Sequence, residues 1–255
     1  MHAAFLPAPI KTGYAPFLSF GPSRVESGGM RPLRFSRRLL AVLFAFIVCC
    51  IPAARAQDMP PDIAPRPSST PYTGDLSIFE KPGRDQRLQI ERVMDLLGLK
   101  PGKSVADIGA GSGWFSVRAA RRIAPSGTVY AEDINPEAIT YIRQRAAHEN
   151  LPNIHVIEGT PDNPKLMPAS IDAVLMLKVY HEVANPLELL RNLRRASRPD
   201  ARIGVIDRNG TGTDHGVNAS VVIHEMDEAG FALSGRYDFT KADGQDYFLI
   251  FTQRR

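Results

Sequence analysis

Three alternating glycines after an aspartate form the segment best suited to hold a ligand. Asp107 closes a β-prone run, and Gly109, Gly111 and Gly113 lead into a helical pattern that starts at Trp114. A strand, a tight turn and a helix N-terminus let the backbone approach a ligand closely, which glycine allows because it has no Cβ. The spacing departs from the dinucleotide fingerprint, since a tryptophan stands where that pattern has its third glycine. The aspartate would repel a pyrophosphate and attract a cationic ligand. The alternative interpretation of the motif is a glycine turn that binds no ligand.

A second candidate is the acid that ends the next predicted strand. Asp133 is the last residue before the turn, where a carboxylate can accept hydrogen bonds from both hydroxyls of a ribose. Glu132 is expected on the opposite face, because side chains alternate along a strand. The alternative role for Asp133 is to cap the helix that begins near Asn135.

The segment after the fourth predicted strand offers groups for proton transfer. Ligands bind at the carboxyl ends of the strands in doubly wound sheets, and Tyr180, His181 and Glu182 follow such an end. His181 could act as a general base that Glu182 orients. Alternatively, Tyr180 and His181 only pack or line a cofactor pocket. We predict no metal site, because the acidic and histidine residues further along show no ligand spacing (Asp214, His215 and His224).

The elements that must position these residues alternate along the chain. Helical patterns and apolar strand patterns follow one another, which predicts an α/β fold with a mainly parallel, doubly wound sheet. The fourth strand is a continuous apolar run, as expected for a strand buried on both faces. The predicted strands cover residues 104–108, 128–133, 154–158, 171–177, 202–207, 233–239 and 247–252, and the predicted helices cover 84–97, 114–123, 136–150, 186–196 and 219–229.

The glycine motif and the acidic motif together carry a resemblance. Asp107-x-Gly109-x-Gly111-x-Gly113 and the run 132–136 (Glu-Asp-Ile-Asn-Pro) resemble class I S-adenosylmethionine-dependent methyltransferases, and residues 79–85 resemble a bacterial branch of them. The resemblance covers the chain from about residue 84 to the C-terminus. It implies a Rossmann-like seven-strand sheet with an antiparallel last strand. It also implies S-adenosyl-L-methionine as cofactor and methyl transfer to a small-molecule acceptor.

The resemblance also assigns roles to residues. Asp107 and the glycines would hold the methionine end, Asp133 the ribose, and Ile134 the adenine. Thr160 stands where relatives often have an acid near the adenine amino group. The full set implied for the cofactor is Asp107, Gly109, Ala110, Gly111, Gly113, Asp133, Ile134, Gly159 and Thr160. One departure is Lys178, where many relatives have a small or acidic residue, since an ammonium group would repel the cationic sulfonium.

The N-terminal quarter resembles an export signal. Basic residues precede an uncharged run over 39–51, and small residues follow before Gln57, which predicts a signal peptide at 30–56 with cleavage after Ala56. A membrane anchor is the alternative, but the run is shorter than the ~20 apolar residues that span a bilayer. We interpret residues 1–29 as upstream of the true start at Met30 or, alternatively, as disordered. Residues 57–77 are predicted to form a flexible lead-in, and 78–255 the folded domain.

Charge and cysteine content narrow the function classes. Residues 1–56 hold seven of the 31 Lys and Arg and one of the 27 Asp and Glu, so the remainder has a net charge of −2. A nucleic-acid partner is therefore not expected. Both cysteines, Cys49 and Cys50, precede the predicted cleavage point. We expect an exported, periplasmic enzyme with no stable membrane anchor after cleavage. The alternative is an exported, non-catalytic protein that binds a nucleoside or an S-adenosyl ligand, and the oligomeric state is not predictable.

Overall fold

The structure is a computed structural model that describes residues 66–254. The predicted signal peptide, the upstream segment and both cysteines lie outside these residues. Among the described residues, no helix is both long enough and apolar enough to cross a membrane.

One seven-stranded sheet organises the described part of the chain. Its strands are β1 (Ser104–Ile108), β2 (Thr128–Asp133), β3 (Ile154–Glu158), β4 (Ile171–Leu177), β5 (Ser197–Asp207), β6 (Phe231–Tyr237) and β7 (Tyr247–Gln253). They lie in the order β3-β2-β1-β4-β5-β7-β6. Strands β1 to β5 pair in parallel, while β7 is antiparallel to both of its neighbours. The predicted fold class is confirmed, including the antiparallel last strand.

Helices cover both faces of this sheet. They are α1 (Arg84–Leu88), α2 (Ile90–Leu97), α3 (Trp114–Ile123), α4 (Pro136–His148), α5 (Pro186–Ala196) and α6 (Ala219–Glu228). Because strand side chains alternate, neighbouring residues of β1 enter opposite halves of the core: Val105 belongs to the same cluster as Phe115, and Ala106 to the same cluster as Leu190. The continuous apolar pattern of β4 has the same cause, since Val174 and Leu175 are both fully buried on opposite faces.

The predicted helix over 84–97 is interrupted. Gln89 adopts a left-handed conformation (φ 51°, ψ 52°) and separates α1 from α2. The break turns α1 toward the short 3₁₀ helix Phe239–Asp243, where Arg84 and Arg87 both pair with the Asp243 carboxylate (3.4 and 3.2 Å). The sequence pattern predicts one helix because the apolar spacing continues across the break. The ion pairs that hold α1 in its direction involve Asp243, which is more than 150 residues away in the chain.

Candidate active site

An open cavity of about 310 Å³ lies at the carboxyl ends of β1, β2 and β4. The predicted cofactor residues that line it are Asp107, Gly109, Ala110, Gly111, Asp133, Ile134 and Thr160. Gly113 and Gly159 lie outside its lining. Gly113 is the N-cap residue of α3, and Gly159 packs against the Glu132 side chain so closely that a Cβ would overlap the carboxyl group. The tertiary structure therefore gathers most of the predicted set at one edge of the sheet.

The turn between β1 and α3 requires glycine for two reasons. Gly109, Gly111 and Gly113 all have positive φ angles (65°, 55° and 70°), a region that side chains with a Cβ disfavour. A Cβ at Gly109 would also overlap the Val179 side chain. The turn is tied to β2, because the Ala110 backbone N–H donates to the Glu132 carbonyl at 2.9 Å. The loop thus presents its backbone to the cavity in a fixed position.

Asp133 is part of the frame of this loop. Its Oδ2 accepts from the Gly111 backbone N–H at 2.8 Å, and its Oδ1 accepts from the Asn135 backbone N–H at 2.9 Å. The carboxylate is buried, and burial raises its pKa despite these bonds. Each oxygen can still accept a further hydrogen bond, so Asp133 can hold the loop and a ribose together. The capping role is taken by Asn135, whose Oδ1 accepts from the Glu137 backbone N–H.

Two further buried acids lie beside Asp133. Burial raises the pKa of Asp107 to about 7, although Ser116 Oγ donates to its Oδ2 at 2.6 Å. Burial, reinforced by the Asp133 charge, raises the pKa of Glu132 to about 8. Three acids that close together are costly to ionise without a cation. The arrangement therefore favours a positively charged ligand, which is the fit expected for a sulfonium donor.

The structure reorders the predicted proton-transfer groups. Tyr180 and His181 are buried and lie outside the cavity lining, whereas Glu182 lines it. His181 Nε2 lies 3.9 Å from Glu182 Oε1, and its Nδ1 lies 2.9 Å from both carboxylate oxygens of Asp207. Asp207 therefore orients the histidine, a part that sequence analysis assigned to Glu182. The sequence shows that Asp207 ends a strand, but it does not show that His181 is its hydrogen-bond partner.

Tyr180 belongs to a separate buried network. Its hydroxyl donates to Glu225 Oε2 at 2.8 Å, and Arg66 contacts it from above, with the guanidinium carbon 5.1 Å from the ring centre. Arg66 Nε also lies 3.2 Å from Glu225 Oε1. These contacts give Tyr180 a packing role, which was the alternative considered for it.

Glu182 is held in an environment that suits proton transfer. Burial raises its pKa to about 7, while the nearby His181 and the Tyr72 backbone amide partly oppose that shift. A carboxylate with a pKa near the working pH is effective as a general base. A row of neighbouring polar side chains therefore leads from the cavity, which Glu182 lines, to His181 and then to Asp207.

Residues 66–75, named here the strap, lie over the same edge. This stretch is the described second half of the segment predicted to be a flexible lead-in. The Ser69 backbone N–H donates to the His181 carbonyl at 3.0 Å, and its Oγ donates to the Gly212 carbonyl at 2.8 Å. Pro71 and Tyr72 line the cavity. Composition does not predict these contacts, because their partners are more than 100 residues away in the chain.

Comparison with known proteins places this geometry in a family. The sequence model of a methyltransferase domain matches residues 99–235, more than half of the chain. The chain belongs to the methyltransferase domain family. S-adenosyl-L-methionine is the cofactor of this class I methyltransferase fold, as the resemblance implied.

Individual proteins are similar to this chain over part of its length. A 2-phytyl-1,4-naphtoquinone methyltransferase from Trichormus variabilis is 30% identical over 122 residues, which are 48% of this chain and 53% of that protein. An "Uncharacterized 37.1 kDa protein in transposon TN4556" from Streptomyces fradiae is 34% identical over 111 residues, 44% of this chain and 32% of that protein. The chain thus spans about a third to a half of the curated relatives' length. A solved SAM-dependent methyltransferase from Aquifex aeolicus shares the fold, with a TM-score of 0.64, 23% identity, and coverage of 71% of this chain and 100% of that one.

Proposed function

We propose that this methyltransferase domain transfers the methyl group of S-adenosyl-L-methionine to a small-molecule acceptor that enters the cavity beside Glu182. The observation that carries the proposal is the glycine turn and the buried acid cluster facing one cavity. Bound S-adenosylmethionine supplies an electrophilic methyl group on a sulfonium. A bound cation favours the ionised forms of Asp107 and Glu132, which then provide negative charge on that side of the cavity. The turn supplies backbone contacts.

The chain's own residues serve the acceptor mainly through position. Methyl transfer by in-line attack depends on holding the acceptor atom in line with the methyl carbon. When the acceptor carries a proton on its attacking atom, Glu182 takes it. His181 lies next to Glu182, and Asp207 in turn holds the His181 ring in position. This assigns the base to Glu182 and a supporting place to His181, the reverse of the order that the sequence suggested.

The nature of the acceptor is supported by the relatives' names. They include a methyltransferase of a naphthoquinone and a nocamycin O-methyltransferase from Saccharothrix syringae, both of which point to small molecules. The non-catalytic alternative gains no support, because the relatives whose names state an activity are methyltransferases.

We also propose that the protein is exported. Sequencing of the protein recovered from its host should then begin at Gln57, whereas a chain beginning at Met1 or Met30 would contradict export.

Cofactor binding tests the proposal directly. Titration calorimetry with S-adenosylmethionine should show binding that Asp133→Ala weakens by about 1–3 kcal/mol, because the Gly111 and Asn135 amides lose their acceptor and a ribose loses its partner. Gly111→Val should abolish binding, since this residue has a positive φ and a bulky side chain would face the cavity.

The matched control is Asp238→Ala, which removes an exposed acid whose ion pair among residues 66–254 is with Lys241. Circular dichroism should first show that each variant is folded. Unchanged affinity in folded Asp133→Ala and Gly111→Val proteins would contradict the assignment of this cavity to the cofactor.

A further inference from the structure

Lys178 is a cation that the proposed reaction does not yet use. It follows β4 directly and lines the cavity that holds the glycine turn and Glu182. Its backbone is left-handed (φ 61°), an unfavourable conformation for lysine, and its N–H donates to the Ile206 carbonyl at 2.8 Å. Strained residues of this kind concentrate at functional sites.

The ammonium group of Lys178 has no anionic partner among residues 66–254. Its side chain is exposed to the cavity, and no carboxylate of the described residues forms an ion pair with it. Asp207 and Asp243 face it from a distance, but Asp207 is bonded to His181 and Asp243 is shared by two arginines. The surrounding protein and the Arg84 charge lower the pKa of Lys178. An anion beside this lysine would relieve both effects.

Sheet order separates this cation from two of the three clustered acids. β4 and β2 flank β1 on opposite sides, so Lys178 lies across β1 from Glu132 and Asp133. The cationic methyl donor is suited to the acidic side. An ammonium group on the β4 side would repel a second cation and attract an anion.

Much of the remaining lining is apolar. Tyr72, Leu76, Phe79, Leu177 and Val183 line the cavity together with Lys178 and Glu182, and the other lining cation, Arg84, is paired with Asp243. A bound molecule would therefore place an apolar body against these side chains and its charge at the lysine.

We infer that Lys178 selects the methyl acceptor: a small molecule with an apolar body and one acidic group, such as a carboxylate, which pairs with the Lys178 ammonium while the attacking atom reaches Glu182. This inference rests on the proposed function and adds the substrate class to it. Lys178 touches the acceptor and leaves the donor to the acid cluster and the glycine turn.

Matched acids and amides test this inference without knowledge of the natural acceptor. The whole protein, saturated with S-adenosylhomocysteine, is titrated with benzoate, phenylacetate and cinnamate, and with the neutral amide of each. Wild-type protein should bind at least one acid about tenfold or more tightly than its amide. Lys178→Met should remove that preference and leave the affinity for S-adenosylhomocysteine within about twofold, while Lys178→Arg should keep the preference.

Two results would overturn the inference. One is equal binding of acid and amide by the wild-type protein in all three pairs. The other is a Lys178→Met protein that loses affinity for S-adenosylhomocysteine but keeps its preference for acids, which would place the lysine at the donor's carboxylate. Failure of the proposed function is a separate result, namely no binding of S-adenosylmethionine. The acid and amide titrations are repeated without nucleoside, so they report on Lys178 in that case too.

Discussion

At the scale of residues, the site depends on an ordered row of polar groups that ends in Glu182. Asp207 is fully buried, and its carboxylate also accepts from the His181 and Arg208 backbone amides. Because a carboxylate accepts hydrogen bonds, His181 Nδ1 is the ring nitrogen that donates to Asp207, and Nε2 is the one that faces Glu182. Asp207 is thus a positioning residue, and Glu182 is the group that reaches the cavity.

Glu182→Gln should lower turnover by about 10²–10⁴-fold if proton removal limits the reaction, with cofactor affinity nearly unchanged. Since burial raises the pKa of Glu182 to about 7, the base is protonated below that pH and the wild-type rate should rise as pH increases through about 7. The variant should lose this rise. Initial rates of S-adenosylhomocysteine formation between pH 5 and 9 measure both effects.

The matched control for this experiment is Glu158→Gln, at the end of β3, where the side chain is exposed and outside the cavity lining. It should keep the wild-type rate and pH profile. A Glu182→Gln enzyme with an unchanged rate and the same pH dependence would show that no proton passes through this carboxylate.

At the scale of elements, the turn from β1 to α3 depends on a neighbour that is distant in sequence. Gly109 lies against Val179, which follows β4, because β1 and β4 are paired strands whose carboxyl ends meet. The turn therefore cannot accept a side chain even where its backbone could adapt. The local sequence predicts that the turn needs glycine, and the pairing of β1 with β4 adds a steric reason, since Val179 leaves no room for a Cβ at Gly109.

Gly109→Ala should destabilise the protein by about 1–3 kcal/mol from overpacking, in addition to about 1 kcal/mol from the left-handed backbone. Adding Val179→Ala should recover part of the loss, because it removes the overlapping methyl groups. Urea unfolding of the two single variants and the double variant measures the coupling, expected at about 0.5–3 kcal/mol.

Gly244→Ala is the control for backbone strain alone. Gly244 also has a positive φ (77°), but a Cβ there would meet nothing within 4 Å. Its cost should stay near 1 kcal/mol and should not change with Val179→Ala. Strictly additive effects of Gly109→Ala and Val179→Ala would contradict the steric explanation.

At the scale of the whole molecule, stability without ligand should depend on the acids buried at the cavity. Burial raises the pKa of Asp107, Glu132 and Glu182 to about 7, 8 and 7, from ordinary values of 3.8, 4.5 and 4.5. Between about pH 4.5 and 8 the folded state therefore binds more protons than the unfolded state, and the free energy of unfolding falls as pH rises. A bound cation would offset that loss.

The thermal midpoint of the ligand-free protein should accordingly drop by several degrees between pH 5 and pH 8. Glu132→Gln should flatten this dependence, because it removes the acid with the highest of the three pKa values. Asp172, whose pKa is lowered, titrates below this window and does not oppose the trend. A midpoint that rises from pH 5 to 8 in differential scanning calorimetry would contradict this account.

The sequence alone determined the features that depend on neighbouring residues. The strand limits of β1 to β4, the need for glycine in the turn and the place of Asp133 follow from apolar periodicity, missing Cβ atoms and the rule that ligands bind at strand ends. The residues around that edge could be named because parallel strands must end there together.

Only the tertiary structure decided which groups face the cavity. His181 and Glu182 are adjacent in sequence, and the 3₁₀ turn that begins at Tyr180 directs one toward Asp207 and the other toward the cavity. The positions of the strap and of Lys178 relative to the cavity are likewise set by loops and strands that are distant in sequence. A short sequence pattern reports backbone conformation and burial, whereas the direction of one side chain is set by packing and hydrogen bonds across the fold.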